Sequence, residues 1–374
     1  MHNHPNICSP TLAERFNPRA NNFDAIRLFA ASLVLFSHCY PLTRSKGEPF
    51  SPLGVSGGDL AVAIFFVISG FLIARSFKER RLAEYLLARA LRIFPGLAVV
   101  LLFAVFVIGP SATTLPLAAY FTNSQTWVYL SGIFIVDLQF RLPGVFETTP
   151  YARTINGSLW TIPLEAVWYL ILPALAGLGL LHRGTFCGVL LIFLILYAVG
   201  VQFYGLGFGP HRGPQLFSVV TTYPFLRYGT FFMIGTGFWL YREHIPMHGA
   251  IAAAFVGGLY LSAKTPAFPA FLTVALPYLV FYVGMSGSRG KALTSRLGDL
   301  SYGTYLYAFP VQQMVAHLVP EIGAWQMFAI ALPVTLGFAA LSWRYVEYPS
   351  LALKKRRRPL PENSVPIPES SALL

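Results

Sequence analysis

The stretch Phe23–Pro41 reads FDAIRLFAASLVLFSHCYP, nearly long and apolar enough to cross a bilayer, yet it carries Asp24, Arg27 and His38. A spanning helix needs about 20 predominantly apolar residues. An Asp or Arg at its centre costs roughly 2.5–3.5 kcal/mol on insertion scales, so such groups stand near the ends, face other helices or do chemistry. Arg27 and His38 are eleven positions apart, which is about three turns and ~16 Å of helix. Eleven steps of about 100° return to within about 20° of the start, so both side chains share one face. Ala31, Val34 and Leu35 lie between them, and Asp24 is the i, i+3 partner of Arg27. In a plainer reading, Arg27 snorkels to headgroups and His38 bonds a neighbouring helix; this helix alone leaves the two readings level. Cys39 points about 100° away from His38 and forms no thiol–imidazole dyad with it.

Runs of this kind recur along all 374 residues. The chain is 55% hydrophobic and only 11% charged, against about 25% charged in soluble domains, and its mean hydropathy is +0.58. The runs are too continuous for a transmembrane barrel, whose strands alternate. The expected fold is therefore all-α: a polytopic integral membrane protein of about ten spans with both termini cytoplasmic. The spans fall near 24–43, 57–76, 94–110, 158–181, 185–204, 217–240, 247–263, 267–286, 300–320 and 323–346. Three segments follow: a cytoplasmic tail over 1–22, a ten-helix domain over 23–350, and a basic, disordered cytoplasmic tail over 351–374.

Alternating the spans from a cytoplasmic N-terminus puts Lys and Arg inside over outside at roughly three to one, as the positive-inside rule requires. The cluster Arg75, Lys78, Arg80, Arg81, Arg89 and Arg92 and the run Lys354–Arg358 both fall inside. The net charge of +12 sits in such short loops, which favours anionic lipid over nucleic acid as its partner. MHNHPNICSPTLAERFNPRA at the start has no apolar core and reads as a tail, not a removable signal. Cys8, Cys39 and Cys187 have no disulfide or ligand spacing, and neither a metal nor a role for His2 and His4 is expected.

Two segments are less regular. Leu115–Thr149 contains TWVYLSGIFIVDL, but Asn123, Gln125, Asp137 and nearby prolines make it a poor span, so it reads as an outer loop with an interfacial or re-entrant piece. Phe77–Phe94, FKERRLAEYLLARALRIF, reads as a basic amphipathic helix on the inner surface, with Pro95 opening the next span.

The remaining candidates are polar groups in apolar surroundings. In GVSGGDLAVAIFFVISGFLIARSF, residues 54–77, Asp59 either orients His38 or caps the span. Ser69 and Gly70 in the same stretch permit close helix packing. Arg89 and Arg92, spaced i, i+3, suit a phosphate-rich ligand, since each guanidinium binds bidentately; taken in isolation, such a pair is more often an anchor on lipid phosphate. INGSLWTIPLEAVWYLILP, residues 155–173, places Glu165 inside a span, and Arg227 in TTYPFLRYGTFFMIG is its natural partner. Trp160 could stack on a sugar ring, and His211 reads as a solvated loop residue.

In order and spacing, FDAIRLFAASLVLFSH, FFVISGFLI, RALRIFP, NGSLWTIPLE, FLRYGTFFMIG and SYGTYLYAFPV resemble the family 3 membrane acyltransferases, over about residues 21–349. Members modify extracytoplasmic sugars on lipopolysaccharide, exopolysaccharide, nodulation factors and similar glycans. The family's arginine–ten residues–histidine signature is matched by Arg27 and His38, and its arginine–two residues–arginine signature by Arg89 and Arg92. One departure is Ala308 in YLYAFP, where many relatives have histidine.

The resemblance implies a bacterial inner-membrane O-acyltransferase that moves an acyl group, with acetyl expected, from cytoplasmic acyl-CoA to a hydroxyl of a surface glycan or glycolipid. His38 would be the base or a transient acyl carrier, with Arg27 guiding the donor from the same face. Arg89 and Arg92 would hold CoA phosphates. Asp59, Ser69, Trp160, Glu165 and Arg227 would line or brace the cavity. Intramembrane charges also suit a transporter or flippase of an acyl donor or glycolipid, although no inverted repeat is visible, and a structural subunit of a glycan assembly complex is a third reading.

Overall fold

A computed structural model describes residues 10–204, 213–287, 290 and 297–353. Ten longer helices carry the fold: α1 (Phe23–Leu42), α2 (Gly57–Lys78), α3 (Leu82–Phe103), α4 (Thr161–Gly177), α5 (Arg183–Tyr204), α6 (Thr222–Leu240), α7 (Gly249–Ser262), α8 (Phe268–Gly284), α9 (Ser301–Leu318) and α10 (Ala324–Ser342). Among the described residues, seven helical stretches are long and apolar enough to cross a membrane. The only strands among those residues form a short antiparallel hairpin, β1 (Gln215–Phe217) and β2 (Val220–Thr221). His211, residues 1–9 of the expected N-terminal tail and, with Lys354–Arg358, residues 354–374 of the C-terminal one lie outside the described residues.

The centre of the bundle is α2, packed on α1 and α6, while α1 also packs on α9 and α10. Glycine makes the α2–α6 crossing possible. A Cβ at Gly70 would overlap the Phe232 carbonyl, and one at Gly235 would overlap that of Val67. The two backbones touch there, and Thr236 Oγ1 donates to the Gly70 carbonyl at 3.2 Å. Close packing is thus the role of Gly70, as small residues serve generally in membrane helices.

Pro95 does not open a new helix. It lies inside α3, which begins at Leu82 and continues through a π turn at Ala104–Ile108 to Ala112. The amphipathic stretch and the next span are therefore one helix, and the break falls earlier, at Glu79–Arg81, between α2 and α3. Membrane helices tolerate an internal proline because neighbouring groups satisfy the freed carbonyl. The π turn stands two residues before Pro110, and a second, at Trp343–Glu347, stands two residues before Pro349. The wider turn accommodates the ring without ending the helix.

Residues 115–149 hold only short turns, including Leu117–Thr122, Ser124–Val128 and Tyr129–Phe134, and no helix of spanning length. They lie against α3 and its extension, with the Tyr120 hydroxyl donating to the Val105 carbonyl at 2.9 Å.

Part of the stretch read as an N-terminal tail is docked. A capping box of Thr11 and Glu14 starts a one-turn helix. Leu12 N–H donates to Ile245 O at 2.8 Å, and Met247 N–H to Pro10 O at 2.9 Å. Leu12 is fully buried, so an apolar contact anchors this edge to the segment between α6 and α7.

Candidate functional site

Two cavities share one wall. The first is lined by Arg27 of α1, Ser69 of α2, Arg89 and Arg92 of α3, and Glu165 and Tyr169 of α4. The second is lined by His38, Glu48, Asp59, Tyr151, Trp160 and Phe309. Val62 and Tyr305 line both.

Three arginines and one carboxylate, Glu165, line the first cavity, while Asp24 and Asp299 pair with Arg27 and Arg92 from outside its lining. Spacing i, i+3 on α3 turns Arg89 and Arg92 to the same side. Arg92 Nη2 reaches Asp299 Oδ2 at 2.8 Å. Arg27 pairs with Asp24, as their spacing implied, and approaches the same Asp299 oxygen at 3.6 Å. Asp299 also accepts from the Ser301 hydroxyl at 2.5 Å and the Ser301 amide at 3.2 Å. Burial alone would raise this carboxyl, but Arg92, Arg27 and the Ser301 bonds hold it well below the usual carboxylate range. Arg89 has no carboxylate within ion-pair distance among the described residues; its guanidinium lies 5.6 Å from the centre of the Tyr169 ring. The Nε atoms of Arg27 and Arg89 are buried without hydrogen-bond partners among those residues. Unmet guanidinium donors on this wall suit an anion with several acceptor oxygens, such as a phosphate.

Glu165 does not pair with Arg227. It accepts the Tyr169 hydroxyl in the basic cavity, whereas Arg227 pairs with Asp59, whose other oxygen accepts the Tyr228 hydroxyl. Asp59 therefore neither orients His38 nor caps α2; the cap is Ser56, whose Oγ accepts the Asp59 amide at 3.0 Å. Both alternatives for Asp59 fail because the α2–α6 crossing brings a buried guanidinium to it first.

In the second cavity, ring packing holds His38. Phe309 of α9 lies edge-on with centroids 5.3 Å apart, and His38 Nδ1 is buried without a partner among the described residues. Ala308, where relatives often carry histidine, belongs to a buried apolar cluster with Leu35, Cys39 and Met327, and α9 contributes Tyr305 and Phe309 to the cavity instead. Cys39 donates to Leu35 O at 3.3 Å and meets Gln312 Nε2 at 3.0 Å, as a packed thiol would. Trp160 lines this cavity with its ring 5.9 Å from that of Tyr228.

Sequence reasoning missed Glu48 and Asp299, both in loops where no helical period marks a facing side. Glu48 Oε1 accepts the Ser37 hydroxyl at 2.7 Å and the Gly57 amide, at the N-terminus of α2, at 2.6 Å. These bonds fix a carboxylate on the wall of the His38 cavity. With Trp160 and Tyr151 it makes a surface suited to a sugar: aromatic rings for its apolar face and an acceptor for its hydroxyls.

A family model for an acyltransferase domain, of the acyltransferase-3 type, matches residues 21–344. The chain belongs to that family. Among characterised relatives, an O-acetyl transferase of Shigella phage Sf6 is 30% identical over 342 residues, covering 88% of this chain and 95% of the relative. Nodulation protein 10 of Rhizobium leguminosarum bv. viciae is 29% identical over 371 residues, covering 91% and 96%. No solved structure matches it. In this acyltransferase the signature arginines line the first cavity and the signature histidine lines the second.

Proposed function

We propose that this acyltransferase is a bacterial inner-membrane enzyme that moves an acetyl group from cytoplasmic acetyl-CoA to a hydroxyl of an extracytoplasmic glycan. The observation that carries the reading is the pair of cavities: guanidiniums suited to phosphates in one, an imidazole and a sugar-suited wall in the other, with one common wall. The phage relative's name, O-acetyl transferase, supports acetyl as the group moved.

Arg89 and Arg92 hold the phosphates of CoA, and Arg27 adds positive charge beside them. Arg27 and His38 then stand about three turns apart on α1, so the transfer path runs along one helix. His38 takes the proton of the glycan hydroxyl, and the oxygen attacks the thioester carbonyl. The C–S bond breaks, the new C–O ester bond forms, and CoA leaves as the thiol with the proton that His38 carried. Atoms balance: an alcohol and a thioester give an ester and a thiol. Glu48 accepts a neighbouring sugar hydroxyl, and Trp160 packs on the ring. Asp59, bound to Arg227 and Tyr228, braces this wall, while Glu165 and Ser69 line the donor side.

His38→Ala, expressed at normal level in a host lacking its own enzyme, abolishes O-acetyl groups on the surface glycan as read by NMR. Retained acetylation overturns the catalytic assignment. Purified protein releases free CoA from acetyl-CoA only when glycan acceptor is present; uptake of label without CoA release would instead mark a transporter.

A further inference from the structure

The two cavities adjoin, lined by successive positions of the same helices. On α2, Gly58, Asp59 and Val62 face the His38 cavity, and Val62, Phe65, Phe66 and Ser69 face the basic one. These positions follow the i, i+3, i+4 rule, so a single helical face passes from one cavity into the other with Val62 at the crossing. On α9, Ser301, Tyr302 and Tyr305 face the basic cavity, and Tyr305 and Phe309 face that of His38. The turn into α4 does the same, with its cap Trp160 on one side and Thr161 on the other. Where the faces cross, only Val62 and Tyr305 belong to both cavities.

The two sides of this crossing are held differently. Tyr305 donates its hydroxyl proton to the Ser158 carbonyl at 2.9 Å, its oxygen lies 2.6 Å from Thr161 Oγ1, and its ring meets Phe65 edge-on at 6.0 Å. Two hydrogen bonds and a ring contact fix its rotamer. Val62 is buried and apolar and presents only its two methyls, so its volume is the adjustable quantity at the crossing.

On the reading above, phosphates sit among the arginines while the thioester reacts at His38, so the arm between them must pass this point. We propose that Val62 and Tyr305 form the collar through which the acyl-pantetheine arm reaches His38, and that Val62 sets the size of acyl group the enzyme transfers. The acyl end leads the arm through the crossing: a two-carbon chain is little wider than the arm itself, whereas each further methylene adds apolar bulk that must pass Val62. One methylene in a close-fitting apolar site discriminates by about 10-fold or more.

The test uses the full-length protein in nanodiscs with glycan acceptor and acetyl-, propionyl- or butyryl-CoA. It reads acyl-CoA binding by calorimetry separately from release of free CoA. Val62→Ala raises the ratio of butyryl to acetyl transfer by about 10-fold. Val62→Trp closes the collar, so it no longer releases CoA from any of the three donors. An unchanged butyryl-to-acetyl ratio in Val62→Ala overturns the collar. So does wild-type turnover in Val62→Trp in protein that still runs as a single folded species. Because Val62→Ala only removes volume, the size ratio stays readable even where the tryptophan variant fails to fold. If the unaltered protein releases no CoA from any of the three donors, the acyl-CoA reading itself falls and the collar with it; a change confined to the Val62 variants bears on the collar alone.

Discussion

Asp59 of α2 and Arg227 of α6 form an ion pair across 168 positions of sequence, with side chains only 5% and 7% exposed. Tyr228 donates to the second carboxylate oxygen, so both acceptors of Asp59 are used. The pair joins the two helices that also meet through Gly70 and Gly235.

Removing one partner leaves the other charge buried, which costs about 3–5 kcal/mol. Asp59→Asn and Arg227→Met are each expected to lower the unfolding temperature in detergent sharply. The double variant, with no buried charge left over, is expected to recover most of the loss. Single variants that melt with the wild type would show that the pair does not hold α2 to α6.

Arg89 offers the cleanest test of the donor side, because it is not committed to Asp299. One charge-assisted hydrogen bond contributes about 1.5–3 kcal/mol, so Arg89→Ala should weaken acetyl-CoA binding by about 10- to 100-fold. Arg89→Lys should fall between, since an ammonium keeps the charge and loses the bidentate fork. Titration calorimetry with CoA decides; an unchanged dissociation constant removes the phosphate role.

Asp299 predicts a pH dependence. Its carboxyl is held low in the folded protein by Arg92 and Arg27 against the opposing effect of burial. A depressed carboxylate stabilises the fold in full above its unfolded value of about 3.9 and loses that contribution as pH falls further. Melting temperature should therefore be insensitive to this group from pH 5 to 7, as ~3.9 lies below that window, and decline in stronger acid. Asp299→Asn should melt lower at neutral pH and show a shallower acid decline. An identical decline in the variant would exclude Asp299 as its source.

Glu48→Gln keeps the shape of the side chain and removes its charge. The expected result is a KM for glycan acceptor raised about tenfold, the size of one charge-assisted hydrogen bond. Acetyl-CoA binding should be unaltered, because Glu48 lines only the His38 cavity. A change in donor binding with none in acceptor KM would place Glu48 on the wrong side.

What was legible beforehand follows from range. Arg27 and His38 share a face because one continuous helix connects them, and Arg89 and Arg92 share a side for the same reason; periodicity along one element suffices. The partner of Arg227 was not legible. Asp59 and Glu165 are both carboxylates in apolar runs, and only the packing of α2 on α6 selects Asp59. Pro95 misled because proline opens helices in water, whereas inside a bundle its carbonyl debt is met by neighbours. Glu48 and Asp299 sit in loops, where no repeat marks which way a side chain faces.

By itself, then, the sequence determined the helical membrane class and which charges share a helix face, since hydropathy and helical period are local properties. Tertiary structure alone decided which charges far apart in sequence meet, that Phe309 and not residue 308 packs on His38, and that two cavities touch at Val62 and Tyr305. Those relations join α1, α2, α6 and α9, whose relative placement depends on packing between segments far apart in the chain.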